Sequence, residues 1–214
     1  MDFELNEQQK MLQAMCRDFC KNEILPKREE WNKAHRFPSE MFQRMGQLGL
    51  CGLLVPEKYG GTEMGTVAYV AAMEEIAKAD QSLAAGWNAH ISIVSLPILE
   101  YGTEEQKQRW LVPLAKGEKI GAFGLTEQGG GSDAAAIKTT AVRQGDEWVI
   151  NGSKCFITNA GTDISIGVVA LTVSGTEPSG KRRYSAIMIP TGTPGYTMGS
   201  AFRKIGWYGA DTRE

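Results

Sequence analysis

A chain of 214 residues with 42% apolar and 8% aromatic residues can bury a core in one large domain or two ordinary ones, which argues against disorder. A formal charge of −2 and no long basic run argue against a protein dedicated to nucleic acid, and no stretch reads as a membrane-inserting helix. The N-terminal MDFELNEQQK lacks the charged-then-apolar order of a signal peptide, and four scattered cysteines fit reduced thiols in a cytoplasmic protein.

Asn6, with Gln9 three residues on, has the form of a capping box, and Leu12, Met15, Cys16, Phe19 and Cys20 recur at helical spacing. The pattern predicts an amphipathic helix over residues 6–25, ended by Pro26. Cys16 and Cys20 lie one turn apart, but with no second pair and only His35 and His90 elsewhere they read as core thiols, not metal ligands. Lys27 to Arg36 reads as a solvated polar segment. A second helix follows Pro38, with Met41, Phe42, Met45 and Leu48 inward and Gly49 closing it. Residues 53–61 read as a loop on the bundle. A third helix is expected over residues 66–78, with Val70, Met73 and Ala77 inward and Glu74 and Glu75 on a solvated face. From Ser82 to Leu99 apolar residues cover nearly every side, so this helix should be buried, with His90 a hydrogen-bonded core residue. Thr103 and Gln106 form a second capping box, opening a helix that carries Trp110, Leu111 and Leu114 and ends at Gly117.

Composition shifts near residue 119, which divides the chain into a helical part, 1–118, and a β-rich part, 119–214. Short runs over 122–125, 139–143, 148–150, 155–158, 164–171, 184–189 and 196–198 have strand character, separated by turn signals at Gly145-Asp146, Asn151-Gly152 and Ser179-Gly180. The fold class is therefore α+β: an all-α bundle followed by an antiparallel barrel or sandwich.

The chemistry concentrates in two stretches. Gly121 to Asp133, GAFGLTEQGGGSD, begins as a strand and breaks at Thr126 into a polar, glycine-rich turn; Asn151 to Asn159, NGSKCFITN, opens on a hairpin-type pair. Glycines free the turn's backbone, and such turns can point N–H groups at an anion. Together the stretches offer hydroxyls (Thr126, Ser132, Thr158), an aromatic plate (Phe156) and backbone donors, which suits a flat, hydrogen-bonding, partly anionic ligand. Taken singly, the threonines are equally ordinary strand residues, and Ser132-Asp133 equally a cap.

Gly124-Leu125-Thr126-Glu127-Gln128-Gly129-Gly130-Gly131-Ser132-Asp133 resembles the first signature of the acyl-CoA dehydrogenases, and Lys154-Cys155-Phe156-Ile157-Thr158-Asn159 resembles their second flavin-contacting strand at the family's distance downstream. Gln128 stands where proline is usual, and Phe156 where tryptophan is frequent. The resemblance covers essentially the whole chain. It implies FAD as cofactor, an acyl-CoA as substrate, an electron-transfer flavoprotein as electron acceptor and a homotetrameric full-length protein.

By the same resemblance the flavin would be contacted by Phe123, Gly124, Leu125, Thr126, Gly131, Ser132, Phe156, Ile157 and Thr158. Thr126 would address the pyrimidine end of the ring, Phe156 would flank it, and Thr158 would hydrogen-bond near N5. Ser132 would also contact the CoA part of the substrate. The family's catalytic base is a glutamate of a C-terminal helical bundle. No residue of these 214 matches it, and Glu127 and Asp133 belong to the architecture of the loop. A third domain is expected to be absent, leaving a bundle-facing surface prone to associate, weak FAD affinity and no turnover. Gly117-Glu118-Lys119-Ile120, with the stretch to Glu127, is most similar to the short-chain, butyryl-type branch. An acyl-CoA oxidase, an enoyl-CoA reductase, a flavin monooxygenase of the same fold, or a non-catalytic CoA- or partner-binding module stay open as alternatives.

Overall fold

The structure, a computed structural model, describes residues 4–214; Met1–Phe3, the start of the stretch inspected for a signal peptide, lie outside the described residues. Helix α1, Glu7–Phe19, starts on the predicted capping box: Gln9 N–H donates to Asn6 Oδ1 (2.9 Å) and Asn6 N–H to Gln9 Oε1 (3.0 Å). Leu12, Cys16 and Phe19 face inward, and the helix runs on through one π-helical turn, Cys20–Ile24. The polar segment that follows is not merely solvated. It holds a short helix α2, Arg28–Ala34, anchored by the buried Trp31 and ended at His35 in a left-handed conformation (φ 49°). One large apolar residue in a charged decapeptide leaves no periodicity to read. Helix α3, Ser39–Gln47, follows Pro38, buries Met41, Phe42 and Met45, and is closed by Gly49 (φ 77°).

Helix α4, Gly65–Ala79, exists where expected, and Met73 and Ala77 pack half-buried against the core as read, but its most buried stripe lies beside them. Ala68, Tyr69, Ala72 and Ile76 are buried, whereas Val70 is 49% exposed. Its alanines make most sides apolar, so close approach to α1, rather than residue size, chooses the inner face. The reading of Glu75 as solvated is corrected: its side chain is 6% exposed and accepts from Arg17 Nε (3.3 Å), Arg17 Nη2 (3.0 Å) and Lys78 Nζ (3.1 Å). Burial is offset there by a pair joining α1 to α4.

Asp80 caps helix α5, Gln81–His90, which continues through a π-helical turn, Ile91–Ser95, into α6, Leu96–Tyr101. Leu83, Trp87, Ile91 and Val94 are wholly buried. Contrary to the sequence reading, this 21-residue run is long and apolar enough to cross a membrane; half of its most apolar window is buried inside the protein, as for a core helix. The second capping box opens α7, Glu104–Gln106, which passes through a π-helical turn, Lys107–Leu111, into α8, Val112–Ala115.

The strands are β1 (Ile120–Gly124), β2 (Thr140–Gln144), β3 (Glu147–Asn151), β4 (Ile157–Thr158), β5 (Ser165–Thr176), β6 (Arg182–Pro190) and β7 (Thr212–Arg213). The α+β class holds, but the sheet is mixed and open, not an antiparallel closed barrel. Strand β5 is its spine: β1 and β2 pair with it in parallel and β6 antiparallel, while β3 extends β2 as a hairpin through Gly145 (φ 62°). Strands β4 and β7 form a separate antiparallel pair. The long excursion between β1 and β5 allows their parallel alignment, which a tight turn cannot. Asn151-Gly152 therefore makes no hairpin. Gly152 lies against Thr139, where a Cβ would be 2.3 Å from Oγ1, and the chain crosses to β4. Residues 196–198 are not a strand; Tyr196 packs on Ala122, Ile157, Ala160 and Val168. One face of the sheet packs on the helices through Ile166, Val169, Val94 and Leu114.

Candidate functional site

Strand β1 delivers Leu125 and Thr126 to the edge where β4 begins, and the Cys155 N–H donates to the Thr126 carbonyl (2.8 Å), fixing the two predicted stretches side by side. Beyond Thr126 the chain turns tightly, with Glu127 N–H donating to Gly130 O (2.7 Å) and Gly130 N–H to Glu127 O (3.2 Å). None of Gly129, Gly130 and Gly131 sits in the left-handed region; only Gly130 is closely approached, 3.3 Å from Ala136 for an added Cβ, while Gly129 faces open space.

Glu127 holds this turn. Its carboxylate accepts from Lys138 N–H (2.7 Å), Thr139 N–H (3.0 Å), Thr139 Oγ1 (2.6 Å) and Lys154 Nζ (2.7 Å); Lys154 also donates to Leu125 O (3.1 Å). Burial pushes its pKa up, but the hydrogen bonds from Lys154, Thr139 and the Lys138 backbone outweigh that and hold it at about 2. An ionised carboxylate with four donors is architecture, as the sequence reading had it, and is no poised base. Asp133 likewise accepts from Ala135 N–H (3.1 Å) and caps the short turn Ala134–Ala136, while Ser132 beside it is exposed.

On the second stretch Phe156 is 66% exposed and lies in the left-handed region (φ 60°), a costly conformation for a bulky residue, with its ring 5.5 Å from that of Phe202. Ile157 is buried against Ala122 and Val168, and Thr158 is half-buried, paired with Thr212 of β7. Gly124 is buried; a Cβ there would come within 3.1 Å of Val168 Cγ2. Phe123 packs toward the cluster of Val94, Leu114 and Val169 and is only half-buried. The structure thus gathers Leu125, Thr126 and residues 155–158. Gly131 stands beside Thr126, where a Cβ would lie 3.4 Å from Cγ2, and Ser132 follows at the exposed exit of the turn.

Sequence reasoning missed the residues that hold this arrangement. Lys154 was read only as part of a strand, and its partner Glu127 is far away in sequence. Asp211 accepts from Gly161 N–H (2.7 Å) and from Arg213 Nε (2.7 Å), fixing β7 against β4. Asn159 donates to Gly86 O (2.9 Å) and Gly121 O (3.0 Å). No local pattern signals such pairs. His90 is buried as expected: Nδ1 accepts from Gly121 N–H (3.2 Å), and the Leu114 and Cys51 backbones lie against the ring. Burial pushes its pKa down to about 3, so the ring is neutral.

Two half-buried threonines, Thr126 just beyond β1 and Thr158 in β4, with an exposed aromatic in a strained conformation, suit the edge and face of a flat heteroaromatic ring carrying hydrogen-bond acceptors.

The model of the acyl-CoA dehydrogenase N-terminal domain matches residues 6–118, and that of the acyl-CoA dehydrogenase middle domain matches residues 122–214. A curated relative, the "Probable acyl-CoA dehydrogenase YngJ" of Bacillus subtilis, is 45% identical over 214 residues, covering 100% of this chain and 56% of its own length. The butyryl-CoA dehydrogenase structure from Megasphaera elsdenii superposes with a TM-score of 0.91 at 34% identity, over 100% of this chain and 56% of that one. An acyl-CoA dehydrogenase from Bacillus anthracis, solved in complex with FAD, gives a TM-score of 0.89 at 34% identity, over 98% of this chain and 35% of that one. The chain spans about half the length of the curated relatives it matches. With both family models matched and the two signature stretches joined at one edge, this chain belongs to the acyl-CoA dehydrogenase family.

Proposed function

We propose that these residues form the cofactor- and substrate-facing part of a short-chain acyl-CoA dehydrogenase, with a helical unit over 1–118 and a flavin-contacting unit over 119–214. The reaction is α,β-dehydrogenation of an acyl-CoA thioester, in which FAD supplies the acceptor for the β-hydride. Within this chain the Thr126 and Thr158 hydroxyls would donate to a bound flavin ring, at its pyrimidine end and near N5, and Phe156 would flank it. Phe123, Gly124, Leu125, Gly131 and Ile157 shape the surrounding wall, and Ser132 binds the CoA portion or the cofactor phosphates. Donors placed where negative charge builds stabilise the reduced state.

By the family resemblance the α-proton would be taken by a carboxylate outside residues 1–214; within the chain, Glu127 is engaged by four donors and Asp133 caps a turn. An electron-transfer flavoprotein is the electron acceptor and the full-length protein is a homotetramer, both extending the family resemblance; a cytoplasmic location extends the reading of the four cysteines as reduced thiols. The likeness to a butyryl-CoA dehydrogenase supports the short-chain reading. One observation carries the proposal: the Cys155–Thr126 backbone bond sets the segment leaving β1, with Thr126, against the segment entering β4, beside the exposed, strained Phe156.

The test is an absorption titration of the purified chain with FAD and then butyryl-CoA. Weak FAD uptake without bleaching is expected. Bleaching by butyryl-CoA would place a base within these residues, and no uptake at saturating FAD would overturn the flavin reading for this chain.

A further inference from the structure

Asn159 lies where four backbone segments meet; its side chain ties two of them and its main chain the others. Its Nδ2 donates to Gly86 O in α5 (2.9 Å) and to Gly121 O in β1 (3.0 Å). Its own N–H donates to Asp211 O beside β7 (3.2 Å), and its carbonyl accepts from Thr162 Oγ1 (3.1 Å). Thr158 immediately precedes it in β4. The residue is wholly buried and sits in the left-handed region (φ 72°), which asparagine tolerates better than most residues. Its Oδ1 is buried without a hydrogen-bond partner and stands against α5: a Cβ added at Gly86 would lie 2.9 Å from it.

The Gly121 peptide is held from its other side as well. Its N–H donates to His90 Nδ1 (3.2 Å), and a Cβ at Gly121 would lie 2.5 Å from Val94 Cγ1. A core-filling residue has no need of a buried carboxamide, least of all one with an unmatched acceptor. This one directs its donor nitrogen at one carbonyl in the buried helix and one in the strand that carries Leu125 and Thr126.

We infer that Asn159 is a positioning residue for the flavin site: by tying α5 and β1 to the end of β4, its carboxamide sets how the strand bearing Thr126 stands relative to the strand bearing Thr158. The inference rests on the flavin reading above and adds the device that aligns its two hydroxyls. Sites of this kind lose function when the supporting shell loosens even slightly.

Asn159→Gly keeps the left-handed backbone and removes the carboxamide. Asn159→Asp keeps its shape but replaces the donors, and Gly86→Ala presses from the helix on Oδ1 and, more closely still, on the Phe37 ring (2.7 Å from the added Cβ). Each is compared with the parent chain and Thr158→Val by circular dichroism, FAD titration and the visible flavin band. Folded Asn159 and Gly86 variants should bind FAD about tenfold more weakly and with a shifted band. If Thr158→Val shifts the band while a folded Asn159 variant keeps parental affinity and spectrum, the positioning role is wrong and the flavin reading stands. If the parent takes up no FAD, or Thr158→Val changes nothing, the flavin reading fails and the inference with it. Unfolding of all three variants would make Asn159 a folding residue and overturn the role too.

Discussion

At the residue scale, Glu127 and His90 make opposite use of burial. Glu127 is kept charged by its donors, with its pKa lowered from 4.5 to about 2. Its contribution to stability is complete above pH 4.5 and is lost as pH falls toward 2, because the unfolded chain takes up the proton first. Glu127→Gln keeps the shape but loses the charge-assisted bonds to Lys154 and Thr139, and should lower unfolding free energy by about 2 kcal/mol in urea titrations. His90 is kept neutral, its pKa lowered from 6.5 to about 3 by burial. Below pH 6.5 the unfolded chain binds a proton that the folded chain refuses, so stability declines from that point downward. Melting temperatures of the parent should therefore fall between pH 6.5 and 4.5, and those of His90→Gln should be nearly flat over that window. A parental curve as flat as the variant's would mean that His90 titrates freely. The burial of His90 was legible in the apolar helix around it, whereas the hydrogen-bond partners of both groups lie elsewhere along the chain and were not.

At the element scale, glycines show where packing overrides propensity. Gly46 lies within α3, where alanine is the better helix former, yet a Cβ there would sit 2.2 Å from the Lys116 carbonyl oxygen. Gly46→Ala should destabilise by about 1–3 kcal/mol, the range for overpacking, rather than stabilise as propensity alone predicts. Equilibrium unfolding of this one variant decides between the two signs. The same override explains the face of α4: its period was readable, but the alanine-rich surface left the inner stripe to be chosen by α1 and by the Arg17–Glu75 pair. Strand identity fared better than strand partnership. The runs that became β1 to β6 were visible as β-rich segments, whereas β7 spans only Thr212–Arg213 and owes its place to pairing with β4.

At the scale of the whole molecule, the helices and the sheet share apolar packing, with Ile120 and Ile164 joining the helical core and Phe123 reaching toward Val94 and Trp110. The site edge is therefore supported from the helical side, by Asn159 and His90 on Gly121, as well as by its own strands. Phe156, Phe202, Ile205 and Trp207 remain exposed near this edge of the chain's fold or on its final loop. Light scattering of the 214-residue chain should show association that grows with salt, as apolar contact does and screened charge does not. Association that weakens with salt would point to charge instead.

By itself the sequence determined the order of helical and β-rich parts, the two capping boxes, the buried helix from Gln81 and the paired signatures that carry the family. These are local or strictly spaced features, written by helical periodicity, capping chemistry and residue order. Only the tertiary structure decided the mixed, open sheet, the burial of Glu75, the Lys154–Glu127 pair and the convergence on Asn159. Each of these joins groups far apart along the chain, and such partners are chosen by burial and hydrogen-bond satisfaction across the folded core, which no short window of sequence contains.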